Sequence, residues 1–141
     1  MHNHQHGPNV DYSDHFLEMA FRTDLRKRPA TASGYGKHNR ECGDALEVFL
    51  DIHNNVITKV QYYSSGCFSA NACGNALAEV AAGKSVDDAW NITARDLADF
   101  LETLPDHEFH CAEMAVKAFA LALTDYSQLK RKPWEKDYRV L

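Results

Sequence analysis

Two runs of alternating residues, separated by a short asparagine-rich segment, constrain the fold of this 141-residue chain more than any other feature. Residues 46–52 alternate aliphatic side chains with others, and residues 56–63 alternate in the same way with β-branched and aromatic side chains. A period of two is typical of β-strands. The intervening His53–Asn55 suits a tight turn, because asparagine tolerates positive φ. The sequence therefore predicts an antiparallel hairpin over residues 45–63 with one face buried. The second strand then has these residues on one face: Val56, Thr58, Val60 and Tyr62.

After Ser69 the pattern becomes helical. The alanine-rich stretch that follows predicts a helix ending at Gly83, with small side chains that let another element approach closely. Ser85 and Thr93 each precede an aspartate by three residues, which indicates capped starts of two shorter helices. A last helix is predicted from about Glu108 to Tyr126. Ser13 is expected to cap a first helix with one apolar face: Phe16, Leu17, Ala20 and Phe21.

These elements together predict an α+β fold, a small antiparallel sheet of two to three strands packed against helices. The segment Arg22–Arg40 contains Pro29 and two glycines and is predicted to be a loop leading to Cys42. Its basic cluster, Arg26–Arg28, is interpreted as a solvated face, and docking of an acidic partner is the alternative.

The ends of the chain differ in composition from the middle. Residues 1–11 carry His2, His4 and His6 and predict a flexible polar terminus, which could bind metal adventitiously or be partly an expression remnant. Residues 12–127 are predicted to form a single domain. Residues 128–141 are predicted to be a C-terminal tail of mixed charge.

Composition excludes several classes of protein. The apolar fraction of 45% supports a packed core, and the net charge of −5 argues against nucleic acid as a partner. No apolar run approaches the roughly 20 residues of a membrane span. The first residues lack an apolar leader, so we expect a cytoplasmic protein without a membrane partner.

Three of the four cysteines stand in short, distinctive contexts, and the chain has no Cys-x-x-Cys spacing. Thiolates beside an imidazole and a carboxylate are the usual ligands of a transition metal or an iron–sulfur cluster. Plain buried cysteines are the alternative. The contexts are Glu41-Cys42-Gly43-Asp44, Gly66-Cys67-Phe68-Ser69-Ala70 and His110-Cys111-Ala112-Glu113.

Each of these cysteines is predicted at the boundary of an element. Cys42 precedes the first strand, Cys67 lies between the second strand and the alanine-rich helix, and Cys111 lies in the first turn of the last helix. A helix N-terminus favours thiolate over thiol, because its positive dipole end stabilises the anion. Cys67 and Cys111 are therefore predicted to bind metal or accept sulfur.

The neighbouring side chains have two interpretations each. Asp44 is either an oxygen ligand that weakens the hold on iron or a cap at the start of the strand. His110 is either an imidazole ligand or a structural residue at a helix start. Cys73, six residues beyond Cys67, is predicted to point to another helix face as a small buried residue.

In this order the motifs resemble those of the IscU/NifU N-terminal family of iron–sulfur cluster assembly scaffolds. The resemblance covers about residues 12–123, and the Cys67–Cys111 interval is similar to that of the IscU branch rather than the SufU branch. The motifs that carry it are Cys42-Gly43-Asp44, the hairpin, Ser65-Gly66-Cys67-Phe68-Ser69-Ala70, Ala82-Gly83-Lys84-Ser85 and His110-Cys111-Ala112-Glu113.

The resemblance implies an IscU-like (SufE/NifU-type) fold and a scaffold or carrier rather than an enzyme. Such a scaffold receives sulfur as persulfide from a cysteine desulfurase, binds iron, assembles a labile 2Fe–2S cluster and transfers it to apo iron–sulfur client proteins. By position the resemblance implies that Cys42, Cys67 and Cys111 are cluster ligands and that Cys111 is the persulfide acceptor. It implies that Asp44 keeps the cluster labile and that His110 can ligate the cluster or Zn²⁺.

The chain departs from the family pattern just before His110. Leu104-Pro105-Asp106-His107-Glu108 stands where the family often has Leu-Pro-Pro-Val-Lys, so the resemblance does not extend to docking of a specialised Hsp70 chaperone. Glu108 in place of lysine reverses a charge near Cys111, which would disfavour the thiolate.

Three functions follow from these residues. The leading interpretation is a cluster scaffold that holds thiolates close together and keeps one ligand exchangeable. The second is a SufU-like, zinc-dependent sulfur acceptor that uses the same residues. The third is an interaction domain in which zinc only stabilises the fold.

Overall fold

A computed structural model of the chain describes residues 12–39, 44–65 and 68–131, and for residues 130 and 131 it describes the backbone alone. Strands come first and helices follow, apart from one short helix at the start, and the α+β class expected from the sequence is confirmed. The elements in order are α1 (Asp14–Phe21), β1 (Gly34–Asn39), β2 (Ala45–His53), β3 (Val56–Ser64), α2 (Phe68–Ala81), α3 (Val86–Ala89), α4 (Ala94–Leu101), a 3₁₀ turn (Asp106–Glu108) and α5 (Phe109–Arg131).

The described strands form one antiparallel sheet in the order β1–β2–β3. The predicted hairpin is confirmed, and its turn is made by Asn54 and Asn55, whose φ angles are 51° and 62°. Positive φ at both positions produces the tight turn that matches the twist of the flanking strands.

The hairpin contains an irregularity that the alternation in the sequence does not reveal. Ile52 pairs with Ile57 and Asp51 pairs with Lys59, so Thr58 is an extra residue on β3. Such a bulge reverses the phase of the strand. The prediction that Val56 and Thr58 share a face with Val60 is therefore wrong. Ile57 is the buried residue of this segment instead.

The prediction of a loop throughout Arg22–Arg40 is wrong over Gly34–Asn39, which form β1 and pair with β2. The glycines that argued against regular structure are the reason that α5 can cover this strand. A Cβ on Gly34 would lie 2.4 Å from the carbonyl oxygen of Ala122, and glycine alone permits that approach. The amide of Tyr35 donates a hydrogen bond of 2.8 Å to the carboxylate of Asp125 and fixes the strand to α5.

Helices α2 and α5 pack against one face of the sheet and against each other, and α1 and α4 pack on α2. The phenol ring of Tyr62 on β3 lies against Gly74 of α2, where a Cβ would come within 2.6 Å of the ring. Close packing of small helical residues on aromatic and aliphatic strand residues makes a continuous core. Its largest fully buried side chains are Tyr62, Phe16, Phe119, Leu46, Leu50, Ile57, Leu77, Leu97, Leu101, Leu123, Val48 and Val60.

The predicted helix caps are present. Ser13 accepts a hydrogen bond of 3.0 Å from the amide of Phe16, and Ser85 accepts one of 3.1 Å from the amide of Asp88. Thr93 and Asp96 form a reciprocal capping box at the start of α4. Each cap satisfies amide donors that the first helical turn leaves without partners.

Two helical predictions need correction. Phe21, expected on the apolar face of α1, is 69% exposed, because the buried face of α1 is centred on Phe16, Met19 and Ala20. The last helix runs to Arg131 rather than Tyr126, past the predicted domain boundary at residue 127. Its apolar stripe continues to the buried Leu129, which keeps the extra turn against the fold.

None of the helices in the described part of the chain has the length and apolar character needed to cross a bilayer.

Candidate functional site

Three of the five side chains predicted to bind a metal or cluster can be placed. Asp44 is half-buried just before β2, and His110 and Cys111 are the second and third residues of α5. Cys111 is therefore in the first turn of a helix, as predicted. Cys42 and Cys67 lie outside the described residues.

Cys111 and His110 form the chemically distinctive pair of this region. The Sγ atom of Cys111 lies 3.5 Å from Nε2 of His110, and Cys111 is only 2% exposed. Two ligands on one tetrahedral zinc ion, with bonds of about 2.3 Å to sulfur and about 2.0 Å to nitrogen, are separated by about 3.5 Å. The pair therefore has the spacing of two donors to one ion, and its position at a helix N-terminus favours the thiolate.

The ends of β2 and β3 bring Asp44 beside the chain that leads toward Cys67. The amide of Ala45 donates to Oγ of Ser65 at 3.1 Å, and the amide of Ser65 donates to the carbonyl oxygen of Ala45 at 3.2 Å. Cys42 precedes Asp44 by two residues, and Cys67 follows Ser65 by two residues. The described neighbours of these two cysteines thus meet at one end of the hairpin.

The start of α2 meets the start of α5 through a pair of side chains whose contact the sequence did not predict. Oγ of the fully buried Ser69 donates a hydrogen bond to a carboxylate oxygen of Glu108. Ser69 follows Cys67 by two residues, and Glu108 precedes Cys111 by three. A carboxylate at a helix N-terminus is stabilised by the unpaired amides and the dipole there. The sequence carried no signal for this contact, because the two residues are 39 positions apart and in different elements.

Glu108 was expected to place a negative charge where it would disfavour the Cys111 thiolate. That effect stays a prediction; in the structure the carboxylate accepts a hydrogen bond from the hydroxyl of Ser69 at the start of α2. The next residue, Phe109, lies under the guanidinium of Arg95 from α4, with 4.9 Å between the cation and the ring centroid. The turn before α5 is therefore held by contacts from α2 and from α4.

Cys73 was predicted to be a small buried residue rather than a ligand. It is fully buried in the core on α2, as predicted for a small apolar residue. Within the ranges 12–39, 44–65 and 68–131, no three histidine, cysteine, aspartate or glutamate side chains lie close enough together to hold a metal ion.

The basic cluster Arg26–Arg28 is solvated at Lys27 and Arg28, as predicted, and its two arginines also contact the sheet. Arg28 donates hydrogen bonds of 3.0 and 2.7 Å to Glu47, and its guanidinium lies 4.0 Å from the ring centroid of Tyr63. Arg26 donates to the carbonyl oxygen of Ser64 at 2.7 Å. The hydrogen bond to Glu47 raises the pKa of Arg28. These contacts cover the outer face of the hairpin near its Ser65 end.

Comparison with known families matches most of the chain. The family described as the NifU-like N terminal domain matches residues 14–133. The iron-sulfur cluster assembly scaffold protein IscU of Aquifex aeolicus is 34% identical over 121 residues, covering 84% of this chain and 74% of that protein. The corresponding scaffold protein IscU 1 of Archaeoglobus fulgidus is 32% identical over 88 residues, covering 62% of this chain and 58% of that protein.

The fold recurs in solved structures. The N-terminal part of a nitrogen-fixing NifU-like protein from Brucella abortus superimposes with a TM-score of 0.65 over 82% of this chain and 94% of that one, at 16% identity. At that identity the likeness concerns the fold alone. The chain spans little more than half the length of the Archaeoglobus relative.

Proposed function

Because this chain belongs to the NifU-like N-terminal domain family, we propose that it is a scaffold on which an iron–sulfur cluster is assembled and from which the cluster is passed on. The relatives from Aquifex aeolicus and Archaeoglobus fulgidus carry the name of such a scaffold. A scaffold binds its cargo and releases it without turnover of its own. Its chemistry therefore depends on how many ligands it supplies and how firmly each one holds iron.

One observation carries the proposal: described neighbours of Cys42 and Cys67 are joined by hydrogen bonds, and so are described neighbours of Cys67 and Cys111. Ala45 and Ser65 pair at the end of the hairpin. Ser69 binds Glu108 at the start of α5, beside the His110–Cys111 pair. This arrangement supports convergence of Cys42, Cys67 and Cys111 on one cluster.

The ligands are proposed to have different strengths. Thiolates from Cys42, Cys67 and Cys111 suit iron in a 2Fe–2S cluster. Asp44 is proposed as the weak oxygen ligand that keeps the cluster exchangeable, since a hard carboxylate holds iron less firmly than a thiolate in such a set. His110 is proposed as an alternative nitrogen ligand, which can also hold Zn²⁺.

Sulfur is proposed to arrive at Cys111. The Cys111 thiolate attacks the outer sulfur of a persulfide carried by a cysteine desulfurase, a new S–S bond forms, and the desulfurase thiolate leaves. His110 lies within reach to take the proton of the Cys111 thiol before this attack. The desulfurase, the apo iron–sulfur client proteins and the cytoplasmic location all stay predictions.

Anaerobic reconstitution tests the proposal. The protein is incubated with Fe²⁺, cysteine and a cysteine desulfurase, and the visible absorption of a 2Fe–2S cluster is followed before transfer to an apo-ferredoxin is measured. We expect cluster formation and transfer, and we expect both to be lost in Cys111→Ala. Cys73→Ala is the matched control, because it removes a thiol that is buried in the hydrophobic core and is not among the proposed ligands.

The zinc interpretations predict other outcomes. If the protein stimulates the desulfurase only with Zn²⁺ bound and never forms a cluster, it is a sulfur acceptor rather than a scaffold. If it binds zinc but has no effect on the desulfurase, the metal only stabilises the fold. Either result overturns the proposed function.

A further inference from the structure

Glu108, three residues before Cys111, has a defined partner. Its carboxylate accepts a hydrogen bond from Oγ of Ser69, and the Ser69 side chain is fully buried. The backbone amide of Glu108 is also used, donating to the carbonyl oxygen of Pro105 at 2.9 Å. Both ends of the residue are therefore fixed, one by the 3₁₀ turn and the other by α2.

Two roles are chemically open to a carboxylate three residues before Cys111. As a ligand, Glu108 would need its carboxylate for the metal ion, and the contact that this carboxylate makes is with Oγ of Ser69. As a positioning group, it would have to join two elements, and it does join α2 to the turn before α5. The geometry favours the second role.

We infer that Glu108 is a positioning residue whose hydrogen bond to Ser69 holds the first turn of α5, and with it the His110–Cys111 pair, against the start of α2. A hydrogen bond from a buried hydroxyl to a carboxylate is stronger than one between neutral groups, because the acceptor is charged. The contact of Arg95 with Phe109 fastens the same turn from α4. The inference rests on the proposed site at Cys111 and specifies what keeps that site in place.

The accessibility of the Cys111 sulfur should report whether the Ser69–Glu108 hydrogen bond is intact. Cys111 is 2% exposed, so a reagent reaches its sulfur only when the start of α5 moves away from its neighbours. Releasing Ser69 from Glu108 should make that movement more frequent. The movement should be confined to the start of α5, because the hydrophobic core beneath the Ser69–Glu108 contact is continuous.

The test measures the alkylation rate of Cys111 by a monofunctional maleimide. In a background with Cys42→Ser, Cys67→Ser and Cys73→Ala, Cys111 is the sole thiol. We expect Ser69→Ala and Glu108→Ala each to raise the rate about tenfold, as loss of a charge-assisted hydrogen bond predicts. Glu108→Gln should stay within about threefold of the background, because its amide oxygen still accepts from Ser69.

Ser85→Ala is the matched control. It removes the cap hydrogen bond at the start of α3, which lowers stability and leaves Ser69, Glu108 and the Arg95–Phe109 contact in place. Its Cys111 alkylation rate should equal that of the background. If Ser85→Ala accelerates alkylation as much as Ser69→Ala, the effect reports global opening and the inference fails.

A second measurement separates positioning from ligation. With all four native cysteines in place, Co²⁺ is added and its thiolate charge-transfer absorption is titrated. Glu108→Gln should keep the wild-type spectrum, and Glu108→Lys should bind Co²⁺ about tenfold more weakly. A spectrum altered by Glu108→Gln would make Glu108 a ligand and overturn the inference. Failure of cluster assembly by the wild-type protein would instead overturn the proposed function alone, because the alkylation result needs no cluster.

Discussion

Gly36 of β1 lies directly against Ala118 of α5, so closely that a Cβ on residue 36 would come within 2.1 Å of the Ala118 carbonyl oxygen. The clashing atom belongs to a helix backbone and cannot rotate away as a side chain can. The distance between the sheet and α5 therefore depends on glycine having no side chain at position 36 of β1. Since α5 also carries His110 and Cys111, the position of the proposed site is tied to this contact.

Gly36→Ala is expected to lower the free energy of unfolding by about 3 kcal/mol, because α5 must shift to relieve the overlap. Urea denaturation followed by circular dichroism measures the change. Lys37→Ala, at the exposed neighbouring position, should change stability by less than about 0.5 kcal/mol. An unchanged denaturation midpoint for Gly36→Ala would mean that β1 and α5 are further apart than described.

Asp125→Ala is expected to weaken the attachment of β1 to α5 by about 1 to 2 kcal/mol, since the amide of Tyr35 loses its acceptor in a partly buried place. Asp125→Asn should cost less, because its amide oxygen can still accept that hydrogen bond. Thermal unfolding of the three proteins measures both effects. Equal losses for the two variants would show that charge, rather than the hydrogen bond to Tyr35, is what matters.

The stability of the protein should fall as the pH rises from about 10 to about 12. Burial raises the pKa of the Tyr62 phenol to about 12, because the phenolate is disfavoured inside the core. The unfolded chain releases the same proton near pH 10. The folded state therefore loses about 2 kcal/mol relative to the unfolded state across this window.

Urea denaturation at pH 9, 10, 11 and 12 measures that slope. In Tyr62→Phe the part due to this phenol should disappear, whereas Tyr63→Phe, a change on the adjacent and less buried residue, should retain it. If the slopes of Tyr62→Phe and the wild-type protein coincide, Tyr62 does not titrate as its burial indicates.

Asp44→Ala is expected to slow cluster transfer to an apo-ferredoxin severalfold, because removing the weak oxygen ligand leaves iron held by thiolates alone. Asp44 is half-buried just before β2. The loss of the 2Fe–2S absorption after mixing measures the rate. Faster transfer, or a rate equal to that of the wild-type protein, would contradict the role proposed for this aspartate.

Much of the architecture could be predicted because it depends on local patterns. The Asn54–Asn55 turn and the caps at Ser13, Ser85 and Thr93 each follow from residues within four positions of one another. The resemblance to the IscU/NifU N-terminal family, based on motifs in order along the chain, is confirmed by the family match over residues 14–133.

What the sequence did not reveal depends on contacts between distant segments. The glycines of β1 look like loop residues until α5 is placed against them. Thr58 looks like any alternating residue, because a bulge is defined by the register of the partner strand. The contact of Ser69 with Glu108 joins residues without shared periodicity. Of the predicted ligands, Asp44, His110 and Cys111 are placed, while the convergence of Cys42 and Cys67 with them stays a prediction.

The hairpin turn at Asn54 and Asn55 lies at the opposite end of β2 and β3 from Asp44 and Ser65. Nine-residue strands separate the two ends by about 30 Å. Asn54 is exposed. A fluorescent dye coupled to residue 54 would therefore follow tumbling and complex formation with a desulfurase while staying clear of the thiols, and its signal would be too far from a bound cluster to be quenched by contact.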